Sequence, residues 1–119
     1  MHRITPVSAA VAAFTFAAVA EAHPRLVAAS PAAGAHGGSP AQLQLSFTEP
    51  LIGRFSQLSL ADAAGRAAPV APTQLSADRK QMFAPIRARL APGIYRVTWR
   101  AVSTDTHRVQ GSYSFAVVR

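Results

Sequence analysis

The sequence predicts an all-β fold, a seven-stranded Greek-key β-sandwich, and three observations carry that reading. Apolar and polar residues alternate with period two along several short runs. Helix-period patterns are absent, and turn signals separate the runs at short intervals. Leu43, Leu45 and Phe47 alternate with Gln44, Ser46 and Thr48, as in a half-buried strand. Residues 55–60 follow, with Leu58 and Leu60 set against Ser59. Tyr95, Val97, Trp99 and Ala101 alternate with Arg96, Thr98 and Arg100. A last strand puts Tyr113, Phe115 and Val117 on one face and Ser112 and Ser114 on the other. Shorter candidates lie at 26–29, 66–70 and 81–86. Residues 62–80 read as loop with a weak edge strand. Turns are marked by Ser30-Pro31, Gly34, Gly37-Gly38, Ser39-Pro40, Ala64-Gly65 and Pro92-Gly93. Seven short strands without helices pack as two antiparallel layers.

The chain has 119 residues, which supports one domain. With no cysteine there is no disulfide framework, thiolate metal site or thiol nucleophile. Half the residues are apolar and only 14% are charged, so this is no disordered basic tail. The net charge of +7 keeps anionic partners in consideration. The start is a three-part secretory leader: Arg3 is basic, residues 7–20 are an Ala/Val/Phe run, and small residues surround Glu21. A membrane anchor wants about 20 apolar residues, and this run is shorter and Ala-rich. The predicted division is a signal peptide at 1–22 and a domain at 23–119, exported to the periplasm and soluble. Residue type alone allows cleavage after Ala20 as well as after Ala22.

Outside the leader the histidines are His23, His36 and His107. Cleavage after Ala22 makes His23 the first residue. An N-terminal histidine offers its α-amine and its imidazole Nδ1, which close a chelate ring on a metal. Such nitrogen pairs suit Cu(II), which favours tetragonal N/O coordination. Pro24 carries no N–H, so the next peptide nitrogen cannot become a further ligand. His107 closes the stretch Ser-Thr-Asp-Thr-His at 103–107. In extended chain, residues two apart face the same way, which sets the Asp105 carboxylate beside the His107 imidazole. An Asp-x-His pair is weak alone, since an acidic turn beside an incidental histidine looks the same. Together with an N-terminal histidine it completes four donors of the right count and hardness. His36, in the 34–38 turn, reads as a solvated loop residue.

These segments resemble one family. The runs are His-Pro-Arg-Leu-Val at 23–27, Ser-Pro-Ala-Ala-Gly at 30–34 and Leu-Ser-Phe-Thr-Glu-Pro-Leu at 45–51. They continue with the block 93–107, which ends in Asp-Thr-His, and with Gly-Ser-Tyr-Ser-Phe at 111–115. Together they are similar to the CopC family of bacterial periplasmic copper-binding proteins, over essentially all of 23–119. The resemblance implies an immunoglobulin-like or cupredoxin-like seven-stranded sandwich. It implies one Cu(II) held by His23 (amine and imidazole), Asp105 and His107, with Glu49 as an outer partner and Trp99 in the core. It favours cleavage after Ala22, because an earlier cut leaves the chelating nitrogen in a peptide bond. It further implies handover to an inner-membrane copper transporter of the CopD type. Some members carry a Met- and His-rich Cu(I) loop, since soft thioethers select Cu(I). Here residues 62–81 contain neither Met nor His, and Met82 reads as a core residue, so a Cu(II)-only protein is expected.

An enzyme could use the same residues, because a histidine brace on copper is also the centre of lytic polysaccharide monooxygenases. Those need an open coordination position and a flat substrate face. A charged Asp donor instead fills the metal and favours Cu(II), and no aromatic platform for sugars is evident. Nucleic acid is disfavoured because the arginines are scattered and no aromatics interleave with the contiguous Arg79-Lys80 pair. No nucleophile triad, phosphate-binding glycine loop or paired-carboxylate set is present. The expectation is therefore a monomeric copper carrier or buffer in copper homeostasis and resistance, and not an enzyme.

Overall fold

The alternation seen in the sequence becomes two facing sheets in the computed structural model, which describes residues 23–119. The strands are β1 (Leu26–Ser30), β2 (His36–Gly37), β3 (Gln42–Phe47), β4 (Gln57–Asp62), β5 (Gln74–Leu75), β6 (Gln81–Pro85), β7 (Gly93–Val102) and β8 (Arg108–Val117). One sheet has the order β1-β3-β6-β5 and the other β2-β8-β7-β4. The chain leaves β3 for the other sheet and returns to pair β6 with it. It likewise leaves β4 and returns to pair β7 with it. These excursions are the Greek-key connections expected. The expected leader lies outside the described residues.

The inward residues of both sheets meet in one core. Leu43, Leu45 and Met82 come from one sheet and Leu58, Leu60, Val97, Ala101 and Phe115 from the other, all buried. Met82 has no exposed surface, as expected of a core residue. The β7–β8 hairpin runs ten residues a side, from Gly93 opposite Val117 to Val102 opposite Arg108. That long ladder fixes where the turn between Val102 and Arg108 emerges. Tyr95 ties the other end, its hydroxyl donating to the Ala91 carbonyl at 2.7 Å while its ring stacks near Phe115.

Several details depart from the sequence reading. Eight strands form instead of seven, because His36–Gly37 pairs in parallel with β8. His36 is exposed, as expected, but sits on this short strand. Phe55 belongs to a 3-10 turn (Gly53–Phe55) and is exposed, while Ser56 takes the inward position ahead of Leu58. The buried Ser56 hydroxyl is satisfied by the Val102 N–H at 3.1 Å. The 66–70 candidate forms only isolated bridges at Ala67 and Val70, and the weak edge strand of 62–80 is β5.

One polar group in the packed region lacks a hydrogen-bond partner. The Tyr113 hydroxyl is buried and makes no hydrogen bond, and burial pushes its ionisation up to about 12. A hydroxyl buried without a bond costs about 1–3 kcal/mol. Tyr113→Phe is therefore expected to leave stability unchanged or to raise it by about 1 kcal/mol, measured by urea unfolding. A loss of that size would show that the hydroxyl has a bonding partner in solution.

Candidate metal centre

Three segments converge at one end of the sandwich. The first is the start of the described chain. Pro24 is almost fully buried, and Arg25 is clamped on both sides of its peptide unit. Its N–H donates to Thr48 Oγ1 at 3.0 Å, and its carbonyl accepts from the Thr48 N–H at 3.0 Å. His23 is thus held next to a pinned proline. The second segment is 48–52, which joins the β7 end through the Leu51–Ser103 bridge and an Ile52 N–H bond to the Val102 carbonyl.

The third is the turn 103–107. The Ser103 N–H donates to the His107 carbonyl at 2.9 Å and the Thr106 N–H to the Ser103 carbonyl at 2.8 Å. Thr106 has a φ of 71°, a left-handed conformation that a β-branched residue rarely adopts. Asp105 and His107 therefore become neighbours through a tight turn and not through strand alternation. The adjacency that the sequence suggested is present, but its cause is different.

The geometry is that of a small donor cluster. His107 Nδ1 lies 3.0 Å from Asp105 Oδ2. That contact is not aligned as a hydrogen bond, so Nδ1 is a buried nitrogen without a hydrogen-bond partner on a ring about 40% exposed. The His23 ring meets the His107 ring edge to face, with centroids 4.6 Å apart. Glu49 follows the Thr48 clamp and is partly buried. Among the described residues, no group of three or more His, Asp or Glu side chains is placed so as to hold a metal ion. In the 119-residue chain the His23 nitrogen is a peptide amide, and it becomes an amine only when residues 1–22 are removed. Two imidazoles and a carboxylate in contact, one nitrogen lacking a hydrogen bond, fit a borderline N/O-preferring cation.

Sequence reasoning missed Ser103. It is 1% exposed, and its hydroxyl donates to Asp105 Oδ1. That bond, followed by the His107 imidazole, holds the Asp105 carboxyl down at about 2, against an ordinary 3.8. A depressed carboxyl contributes stability that is full above its unfolded value and is lost as pH falls through its folded one, here between about 4 and about 2. Ser103→Ala is expected to return the Asp105 carboxyl toward the usual carboxylate range, followed by NMR titration. It should also weaken metal binding about tenfold, as removal of a group orienting a ligand does. An unmoved Asp105 titration would assign the depression to His107 alone.

Comparison with known proteins follows the same outline. The CopC domain family matches residues 26–118. Copper resistance protein C of Pseudomonas syringae pv. tomato is 37% identical over 123 residues, 98% of each chain. Among solved structures, PcoC, a methionine rich copper resistance protein from Escherichia coli, superposes with a TM-score of 0.75 at 36% identity. That match covers 82% of this chain and 100% of the other. CopC from Methylosinus trichosporium OB3b gives a TM-score of 0.74 at 32% identity, over 80% of this chain and 93% of the other.

Proposed function

Because the chain belongs to the CopC family, we propose that it is a periplasmic Cu(II) carrier or buffer of copper homeostasis and resistance, binding one Cu(II) and catalysing no reaction. The observation that carries this reading is the contact of His107 with both the Asp105 carboxylate and the His23 ring. Once residues 1–22 are removed, His23 supplies amine and imidazole nitrogens, Asp105 an oxygen and His107 a third nitrogen. Glu49 serves as an outer partner. Nitrogen and carboxylate donors suit Cu(II), and an anionic oxygen favours it over Cu(I). The PcoC neighbour is described as methionine rich, whereas this chain has two methionines, Met1 and the core residue Met82. That supports a single Cu(II) site without a thioether Cu(I) site. No helix among the described residues is long and apolar enough to cross a membrane. The carrier acts as a soluble monomer and passes copper to an inner-membrane transporter of the CopD type.

The test is competitive Cu(II) titration with EPR on the protein beginning at His23. One Cu(II) per chain with a tetragonal, nitrogen-rich signal is expected. His107→Ala and Asp105→Ala should each weaken binding on the order of a hundredfold, more than loss of an orienting partner does. Affinity should fall steeply between neutral pH and about pH 5, because the nitrogen donors must lose protons to bind. Asp105, with its carboxyl near 2, stays ionised throughout that range, so the acid loss belongs to the nitrogens. A flat affinity across that interval would reject this ligand set.

A further inference from the structure

The outward face of the β2-β8-β7-β4 sheet carries arginines with no acid among them. β7 presents Arg96, Thr98 and Arg100, all exposed. Opposite them stand Ser59 and Gln57 of β4 and Ser112 and Gln110 of β8. The side chains line a shallow groove of about 620 Å³. Among the described residues, each of these two guanidiniums is held only by neutral oxygens. Arg96 donates to Ser112 Oγ at 3.0 Å, and Arg100 donates to the Phe55 carbonyl at 3.3 Å and to Gln57 Oε1 at 3.5 Å. The acids of residues 23–119 are Glu49, Asp62, Asp78 and Asp105, none of which lines the groove. Asp62 is engaged by Arg66, and Asp105 lies in the metal-centre turn.

The strip continues toward the metal centre. Arg108 lies diagonally across the ladder from Arg100, and the two share a second small hollow with Phe55 and Val102. Phe55 is 47% exposed, with the Arg54 guanidinium 4.9 Å over its ring. Arg108 directly follows His107. A row of unneutralised guanidiniums and one exposed aromatic thus ends at the donor cluster.

The geometry points to a docking groove for an extended acidic segment of a partner protein, laid along β7 so that its far end reaches the metal turn. Placing copper at that end rests on the copper reading, whereas the docking itself does not. Guanidinium forks take carboxylates in paired hydrogen bonds, and the present neutral acceptors yield to them at little cost. Arg96 and Arg100 are four residues apart on one strand face, about 13 Å at strand rise. Carboxylates four residues apart in an extended peptide match that spacing, and the Ser, Thr and Gln groups between offer hydrogen bonds to its backbone. A bilayer is the poorer fit, because the guanidiniums flank a groove, with Trp99 in its lining, that an extended chain can enter and a plane of headgroups cannot.

The experiment uses metal-free protein beginning at His23 and a fluorescein-labelled peptide of Glu, Thr and Ser, with Glu at every fourth position. Saturable binding by fluorescence anisotropy is expected at low salt, weakening as salt is raised. Binding should fall at least about tenfold in Arg96→Gln/Arg100→Gln and in the separate single variant Arg108→Gln. It should change less than about twofold in Arg87→Gln/Arg89→Gln, which removes the same charge from a different groove. Thermal melts of all variants identify any loss due to unfolding, and Arg108→Gln then carries the test. Equal loss in both double variants, equal binding of a peptide with its Glu residues clustered, or tighter binding to phosphatidylglycerol vesicles through the same arginines would each overturn the proposal. The copper titration is read separately, so failure of docking and failure of the metal site are distinguishable.

Discussion

A protein beginning Ala22-His23 is expected to bind Cu(II) on the order of a hundredfold more weakly than one beginning at His23, although the two differ by a single alanine. The alanine converts an amine into an amide, which removes the His23 amine and breaks the six-membered chelate that the amine and imidazole close together. Every side chain of the site survives: the Asp105–His107 contact, the Ser103 hydroxyl bond and the His23–His107 ring contact do not involve residue 22. The comparison tests the His23 amine, and EPR distinguishes its loss from takeover by the Ala22 amine and the His23 amide nitrogen. Competitive titration reads the affinity, and EPR should show the longer protein losing nitrogen coupling. Equal affinities with unchanged spectra would mean that the amine is no ligand. Losing the amine also predicts a shallower pH dependence, since one proton fewer competes with the metal.

Gly111→Ala is expected to destabilise the sandwich. A Cβ at residue 111 would sit 2.6 Å and 2.9 Å from two carbons of the Trp99 indole, its cross-strand partner. The ring cannot swing away cheaply, because it also meets the Phe47 ring edge to face, at 5.3 Å between centroids. Overpacking of this kind costs about 1–3 kcal/mol, and replacing a strand glycine returns about 0.4–1 kcal/mol by restricting the unfolded chain. A net loss of about 1 kcal/mol lowers the melting temperature by roughly 4–8 °C in a domain of this size. Adding Trp99→Leu should recover part of that loss, because the two sites touch and their effects are not additive. A melting temperature within a degree or two of the parent would show that the indole has room the packing does not reveal.

The fold was legible where burial enforces alternation. Residues 43–47 and 95–101 are half-buried strands whose inward positions are uniformly apolar, and both appear as read. Legibility failed where pairing is brief or where parity is set from elsewhere. His36–Gly37 is too short to show any period and is defined only by its neighbour β8. Phe55 looked like the start of a strand, yet the parity fixed by Leu58 and Leu60 turns Ser56 inward instead. At the candidate metal centre the pattern in the sequence named Asp105 and His107 by residue type. The means of joining them, a left-handed Thr106 and a buried Ser103 hydroxyl, belongs to the tertiary structure and has no local signature.

The buried Pro24 and the two-bond clamp on Arg25 have a kinetic meaning. A ligand at the tip of a frayed terminus must search a large volume before meeting its metal. Here the search is over before it starts, because the fixed chain begins one residue after His23. As the proposed copper ligand, the residue would act as an intramolecular reactant at high effective concentration, in the manner of one arm of a bivalent binder on a short tether. On the proposed copper reading, an ion that slips from His23 would meet the same donor again faster than it meets solvent competitors. Residence time in such a site is governed by the tether as much as by the chemistry of the donors.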